Sequence, residues 1–197
     1  MKRKSVTLCV EYSNNERNLL LDVARRSIRN GIDHRRALPI RPLEFPTHLR
    51  QRRACFVTLR RDGELRGCTG AITARVPLVR CVAEHAYSSA FLDTRFSPLE
   101  PEELDGLWVS ISVLSEVSPV EFFDEADLVS KIRPCQDGLL IELGRSVGTL
   151  LPSVWEHLPE PAAFLRQLKR KAGLAADFWS EEIKVSRYTT EEFTDSP

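Results

Sequence analysis

Apolar positions recur at two spacings along this chain, and the change from one to the other marks out its elements. In SNNERNLLLDVARRSIRNG, Leu19, Leu20, Val23, Ala24, Ser27 and Ile28 follow the spacing of a helix with one core-facing side. Ser13 followed by Glu16 has the form of a capping box, and Gly31 is the expected C-cap. At Cys55 the spacing changes to a strict alternation: Cys55, Val57 and Leu59 against Phe56, Thr58 and Arg60, which predicts a strand. Asp62-Gly63 is a hairpin turn signal, so the returning segment ELRGCTG is expected beside it, antiparallel. A second helix is predicted from Pro77 to about Leu92, with Leu78, Val82, Ala86 and Ala90 on one face.

Further on, LWVSISVLS alternates again and predicts a strand over 107–115. DGLLIELGRSVGTLLP predicts a second hairpin turning near Gly144-Arg145. A helix from Pro161 to Ala172 stops at Gly173, and EIKVSRYTT is the last predicted strand. The polar tail EEFTDSP is expected to fray. Hairpins outnumber strand–helix–strand units, which predicts an α+β fold with mainly antiparallel sheets flanked by helices. The chain shows no internal repeat and no low-complexity tract.

Composition narrows the partners. The 197 residues carry 28 Lys plus Arg against 28 Asp plus Glu, a net charge of zero. That balance argues against a protein built to grip a phosphate backbone. Residues 33–53 do hold three prolines and six arginines, Arg35, Arg36, Arg41, Arg50, Arg52 and Arg53. With only Phe45 as a nearby aromatic, this segment reads as a solvated connection and no nucleic acid is expected. The N-terminus MKRKSVTLCVE starts like a signal peptide, but Thr7 and Glu11 interrupt the apolar run. No stretch reaches the ~20 apolar residues of a membrane helix, so a cytoplasmic protein with no membrane partner is expected. Cys9, Cys55, Cys68, Cys81 and Cys135 are odd in number and scattered, which is not a disulfide framework. No CxxC, nucleophile elbow, phosphate loop or dinucleotide fingerprint is present, and neither metal nor cofactor is expected.

One stretch carries candidate chemistry. GELRGCTGAI, residues 63–72, sets Arg66 and Cys68 two positions apart, on one face of a regular strand. A cation beside a thiol favours the thiolate. Gly67 and Gly70 remove side chains that would block approach to it. The competing reading makes Cys68 a small buried hydrophobe and the glycines the shapers of a bulge. Cys81 and His85, one helical turn apart, could join Cys68 in a metal site or supply its base. With so few ligands, the favoured reading is a helix flank at the core edge. In DTRFSP, Asp93 and Arg95 could pair with each other or with the site, while Phe96 and Pro98 anchor the exit loop.

Together these segments resemble the AMMECR family, called AmmeMemoRadiSam system protein A in microbes. CFVTLRRDGELRGCTG resembles its Leu-Arg-Gly-Cys signature, and FLDTRFSPLEPEEL its Asp-x-Arg-Phe stretch. DGLLIELGRSVGTLLPSVW and FLRQLKRKAGL resemble its later blocks, so the resemblance runs from about Glu16 to Phe193. It implies a single AMMECR-type domain over residues 12–190, made of two intertwined α+β subdomains, with 1–11 and 191–197 as terminal extensions. It implies a site on Leu65, Arg66, Gly67, Cys68 and Gly70, with Asp93, Arg95 and Phe96 as companions. It also implies Memo-like and radical SAM proteins as partners, and no established reaction. The chain departs from the family pattern at Thr69, where isoleucine is common, and at Ser153, where glutamine is expected.

Two functions are compatible with these residues. In the first, an enzyme or catalytic subunit uses Cys68 as nucleophile on a small anionic or modified substrate. Arg66 lowers the thiol pKa or binds the anion, and Asp93 and Arg95 orient the pair. In the second, the Arg66-Gly67-Cys68 turn docks a partner protein or modified peptide with no bond made or broken.

Overall fold

The computed structural model describes residues 12–195. The signal-like stretch and Cys9 lie outside these residues. The chain divides into two compact units. One reaches Val113 and takes back the chain from Glu191; the other is Leu114–Thr190.

The first unit opens with α1, Asn14–His34. Its capping box forms as the spacing predicts: the Ser13 hydroxyl accepts the Glu16 N–H, and the Glu16 carboxylate accepts the Ser13 N–H at 2.9 Å. Gly31 is not the cap. The helix runs past it and is capped by Arg35 in the left-handed conformation. A Cβ on Gly31 would stand 2.2 Å from the Phe91 ring, so this glycine is where a second helix crosses closely. The arginine-rich connection contains two short 3-10 turns, Pro42–Glu44 and Thr47–Arg50, the second burying Leu49.

Strand β1, Cys55–Arg61, and β2, Glu64–Gly70, form the expected antiparallel hairpin. Asp62 and Gly63 both take positive φ at its turn, the signature for which Asp-Gly is favoured. Helix α2, Leu78–Phe91, buries Leu78, Val82, Ala86 and Ala90 as the periodicity predicts. Strand β3, Leu107–Leu114, pairs with β1, antiparallel and in register from Cys55↔Val113 to Arg61↔Leu107. The core of this unit gathers Leu20, Val23 and Ile28 of α1, Val57 and Leu59 of β1, and Val79, Val82 and Ala83 of α2.

The second unit begins its sheet with the short β4, Ser118–Pro119. Helix α3, Glu125–Lys131, has Asp124 as N-cap and is not apparent from the apolar spacing. Strands β5, Gly138–Leu143, and β6, Ser146–Leu150, form the second hairpin about Gly144. Helix α4, Pro161–Lys171, follows, and Phe164 stacks on Trp155 at 3.9 Å between ring centres. Strand β7, Lys184–Tyr188, lies between β4 and β5, giving an antiparallel sheet in the order β4-β7-β5-β6.

The last predicted strand is therefore two. After β7 the chain forms β8, Thr190–Thr194, which joins the edge of the first sheet in the order β2-β1-β3-β8. The expectation that the tail frays does not hold for residues up to 195. Phe193 enters the first core, Glu191 takes a two-bond grip from Arg17 at 3.0 and 2.8 Å, and Asp195 pairs with Arg25. Polar residues hold this segment because their partners lie on α1, far away in sequence.

The fold is α+β, with four α-helices and two sheets among the described residues, the hairpins antiparallel. Among the described residues no helix is long and apolar enough to cross a membrane.

Candidate functional site

Strand β2 is an edge strand, bonded on one side to β1. Alternation along β2 sends Thr69 and Cys68 to opposite faces. Thr69 points to α2: its hydroxyl donates to the His85 carbonyl at 3.1 Å and meets the Ser89 hydroxyl at 3.0 Å. Cys68 therefore faces away from α2. Its sulfur accepts from the hydroxyl of its cross-strand partner Thr58 at 3.4 Å.

This placement separates two groups that the sequence allowed to meet. His85 and Cys81 sit on α2, against the opposite face of the sheet from the Cys68 thiol. His85 is not a base for Cys68, and the three do not form a metal site. Among the described residues no group of three or more His, Cys, Asp or Glu is arranged to hold a metal. Cys81 instead meets Cys55 of β1, with the two sulfurs 3.2 Å apart.

The glycines are filled positions. A Cβ on Gly67 would stand 2.1 Å from the Ser89 carbonyl oxygen, so Gly67 is the point where α2 touches the strand. A Cβ on Gly70 would stand 2.3 Å from the ring of Phe56, its cross-strand partner. Neither glycine opens a path to Cys68. What each accommodates comes from elsewhere in the same unit.

Arg66 is displaced from a simple pairing by a bulge, since Gly67 pairs with Leu59 while half-buried Leu65 pairs with the next residue, Arg60. Its guanidinium turns to Glu103, with Nε to Oε1 at 2.7 Å and Nη2 to Oε2 at 2.8 Å. This bidentate pair is mostly buried, with side chains 12% and 19% exposed. Hydrogen bonding from Arg66 brings the Glu103 carboxyl down to about 2 and raises Arg66. Glu103 closes a 3-10 turn, Pro101–Glu103, and also accepts the Glu100 N–H. The apolar spacing gives no hint of this partner. Its signal is the Glu-Pro-Glu-Glu run, a capping pattern that rigidly places one carboxylate.

Asp93 and Arg95 do meet Cys68, through its backbone. The Asp93 carboxylate accepts the Cys68 N–H at 2.9 Å, and Arg95 Nη2 donates to the Cys68 carbonyl at 3.2 Å. The two side chains are paired with each other at 2.7 and 2.9 Å. Hydrogen bonds from Arg95, with a further one from the Cys68 amide, hold the Asp93 carboxyl well below the usual carboxylate range. The loop thus supplies one acceptor and one donor to the free edge of β2, as a neighbouring strand would. Phe96 lies beneath both cations, 5.5 Å from the Arg95 guanidinium and 5.9 Å from that of Arg66.

Ser89, a second residue with no signal in the sequence, is buried inside the hairpin ladder. Its hydroxyl accepts from the Thr69 N–H and donates to the Val57 carbonyl, both at 2.8 Å. Thr69 and Val57 are cross-strand partners, so a helix side chain bridges the two strands next to Cys68.

The fold and site define an α+β protein of two units, whose first sheet ends in a glycine-bearing strand with its cysteine pinned by an Asp-x-Arg loop. Residues 21–193 match the AMMECR1 family profile, and the chain belongs to that family. A protein of Methanothermobacter thermautotrophicus is 39% identical over 183 residues, covering 92% of this chain and 95% of its own length. Protein TK0174 of Thermococcus kodakarensis is 39% identical over 185 residues, covering 88% and 87%. The crystal structure of the uncharacterised protein PH0010 from Pyrococcus horikoshii is similar with a TM-score of 0.87 at 34% identity, covering 94% of each chain.

Proposed function

We propose that this protein is a non-catalytic partner-binding module whose docking surface is the Arg66-Gly67-Cys68 edge with the Asp93–Arg95 loop. One observation carries the reading: the charged groups at the site are paired with each other. Arg66 is held by Glu103 and Arg95 by Asp93, so each guanidinium already has a carboxylate partner. Among the described residues the side chain bonded to that sulfur is the Thr58 hydroxyl, which is no general base at neutral pH. A thiol enzyme acting on a small anionic or modified substrate needs an activating base and an uncommitted anion-binding group.

The surface offers recognition instead. Arg95 is half exposed over the Phe96 ring, and the neighbouring Leu92 is exposed. Aromatic and arginine side chains beside an exposed aliphatic are typical anchors of a protein contact. The family resemblance nominates a Memo-like protein and a radical SAM protein as the partners.

The test is calorimetric binding of the purified chain to those two proteins from the same organism. Arg95→Ala is expected to weaken binding at least about tenfold, a loss of about 1.4 kcal/mol, while Cys68→Ser changes it little. Alkylation of Cys68 that is fast well below the ordinary thiol range, with no binding to either protein, would turn the assignment to the cysteine-centred enzyme.

A further inference from the structure

The protein holds a second thiol site, on the other side of the first sheet from Cys68. Cys55 opens β1 and Cys81 lies in the first turn of α2. Both are buried, and the Cys55 thiol donates to the Cys81 sulfur at 3.2 Å. The sulfurs need approach by only about 1.2 Å to reach a disulfide length of about 2.05 Å. We propose that Cys55 and Cys81 form a peroxide-reactive dithiol, with Cys81 as the attacking sulfur and Cys55 as the resolving one.

The roles follow from the surroundings. The hydrogen bond from Cys55 favours the thiolate of Cys81, and His85, one turn along α2, favours it further. The same contact and full burial push the Cys55 thiol up, so it stays protonated. Glu84 acts on Cys55 in the same direction. Cys81 is 3% exposed and His85 beside it is partly exposed, so the burial favours a small oxidant over a bulky disulfide.

The chemistry balances with hydrogen peroxide as oxidant. The Cys81 thiolate attacks one peroxide oxygen; an S–O bond forms, the O–O bond breaks, and hydroxide leaves. The Cys55 sulfur then attacks the Cys81 sulfenic sulfur. The S–S bond forms, the S–O bond breaks, and the Cys55 proton leaves with the second oxygen as water. The two sulfurs lose two electrons in all, and the peroxide is reduced to water. The product ties the first residue of β1 to α2, the helix whose Ser89 and His85 hold Thr69. Cys68 is not consumed, because it faces the other way.

The experiment is titration of the native protein with hydrogen peroxide, then denaturation, maleimide labelling and peptide mass spectrometry. The expected result is a linked peptide containing Cys55 and Cys81, loss of both labels together, and their return after dithiothreitol. Cys55→Ala is expected to leave a Cys81 sulfenic acid that dimedone traps, and Cys81→Ala to leave Cys55 unmodified. If Cys55 and Cys81 stay fully labelled through peroxide concentrations that oxidise exposed Cys135, the proposal is overturned. The wild-type map alone decides between these outcomes, so the test holds even if both alanine variants fail to fold.

Discussion

Asp93 binds Cys68 by its backbone: one carboxylate oxygen accepts the Cys68 amide at 2.9 Å while Arg95, paired to the same carboxylate, returns to the Cys68 carbonyl. The residues that a catalytic reading would aim at the sulfur are holding the peptide on either side of it. The site's electrostatics are therefore first a matter of strand geometry, and stability measurements can read them.

Asp93 should make the first unit acid-sensitive. Its carboxyl is depressed in the folded state, so its contribution is fully present above the ordinary carboxylate pKa of about 3.9 and is lost as pH falls below it. Asp93→Asn is expected to cost about 1–3 kcal/mol near neutrality and to flatten the stability profile from about pH 5 down to about pH 2. Denaturant melts across that range check both the loss and the slope. An unchanged acid slope in the variant would place the acid sensitivity elsewhere.

The Arg66–Glu103 pair gives a second prediction. Glu103→Ala leaves a largely buried guanidinium without its bidentate partner and should destabilise by about 2–3 kcal/mol. The double variant with Arg66→Met should recover part of that loss, because the uncompensated charge is gone. A double-mutant cycle measures the coupling. Additive losses would show that the two side chains act independently.

Gly67→Ala tests contact with α2. Its Cβ would meet the Ser89 backbone carbonyl at 2.1 Å, and backbone yields less readily than a side chain, so a loss of about 3 kcal/mol is expected. Gly63→Ala, at φ +82 with open space around it, should cost only about 1 kcal/mol through conformational strain. Thermal melts of the two variants side by side should rank them in that order.

Ser89→Ala removes the hydroxyl that bridges Thr69 and Val57. Two strand groups lose their partner inside the ladder, for an expected loss of about 1–3 kcal/mol. Hydrogen exchange should show faster opening at the Thr69 amide than in the parent protein. If the strands close up and pair directly, the amide would stay protected and the bridge would be dispensable.

Local signals in the sequence lead to the right elements where the physics is local. The capping box at Ser13, the Asp62-Gly63 turn and the apolar faces of α1 and α2 all depend on residues within a turn or two of each other. The site is legible as a stretch and illegible as a mechanism. What Gly67 and Gly70 make room for is set by Ser89 and Phe56, residues 22 and 14 positions away respectively. The partner of Arg66 lies 37 positions on, and the face taken by Cys68 depends on where the helix of Cys81 and His85 packs. The tail misleads for the same reason: Glu191 and Asp195 look like solvent-seeking residues until Arg17 and Arg25 are brought to them.

The return of β8 to the first sheet has a consequence for biosynthesis. The second unit, Leu114–Thr190, is continuous, so all of it is translated before the strand that completes the first sheet. The nascent first unit must wait with the outer edge of β3 uncovered and Arg17 and Arg25 without their carboxylates. Its final closure is a late, long-range event, and a ribosome stalled before Glu191 would display an incomplete sheet open to chaperones or to strand exchange with a neighbouring chain.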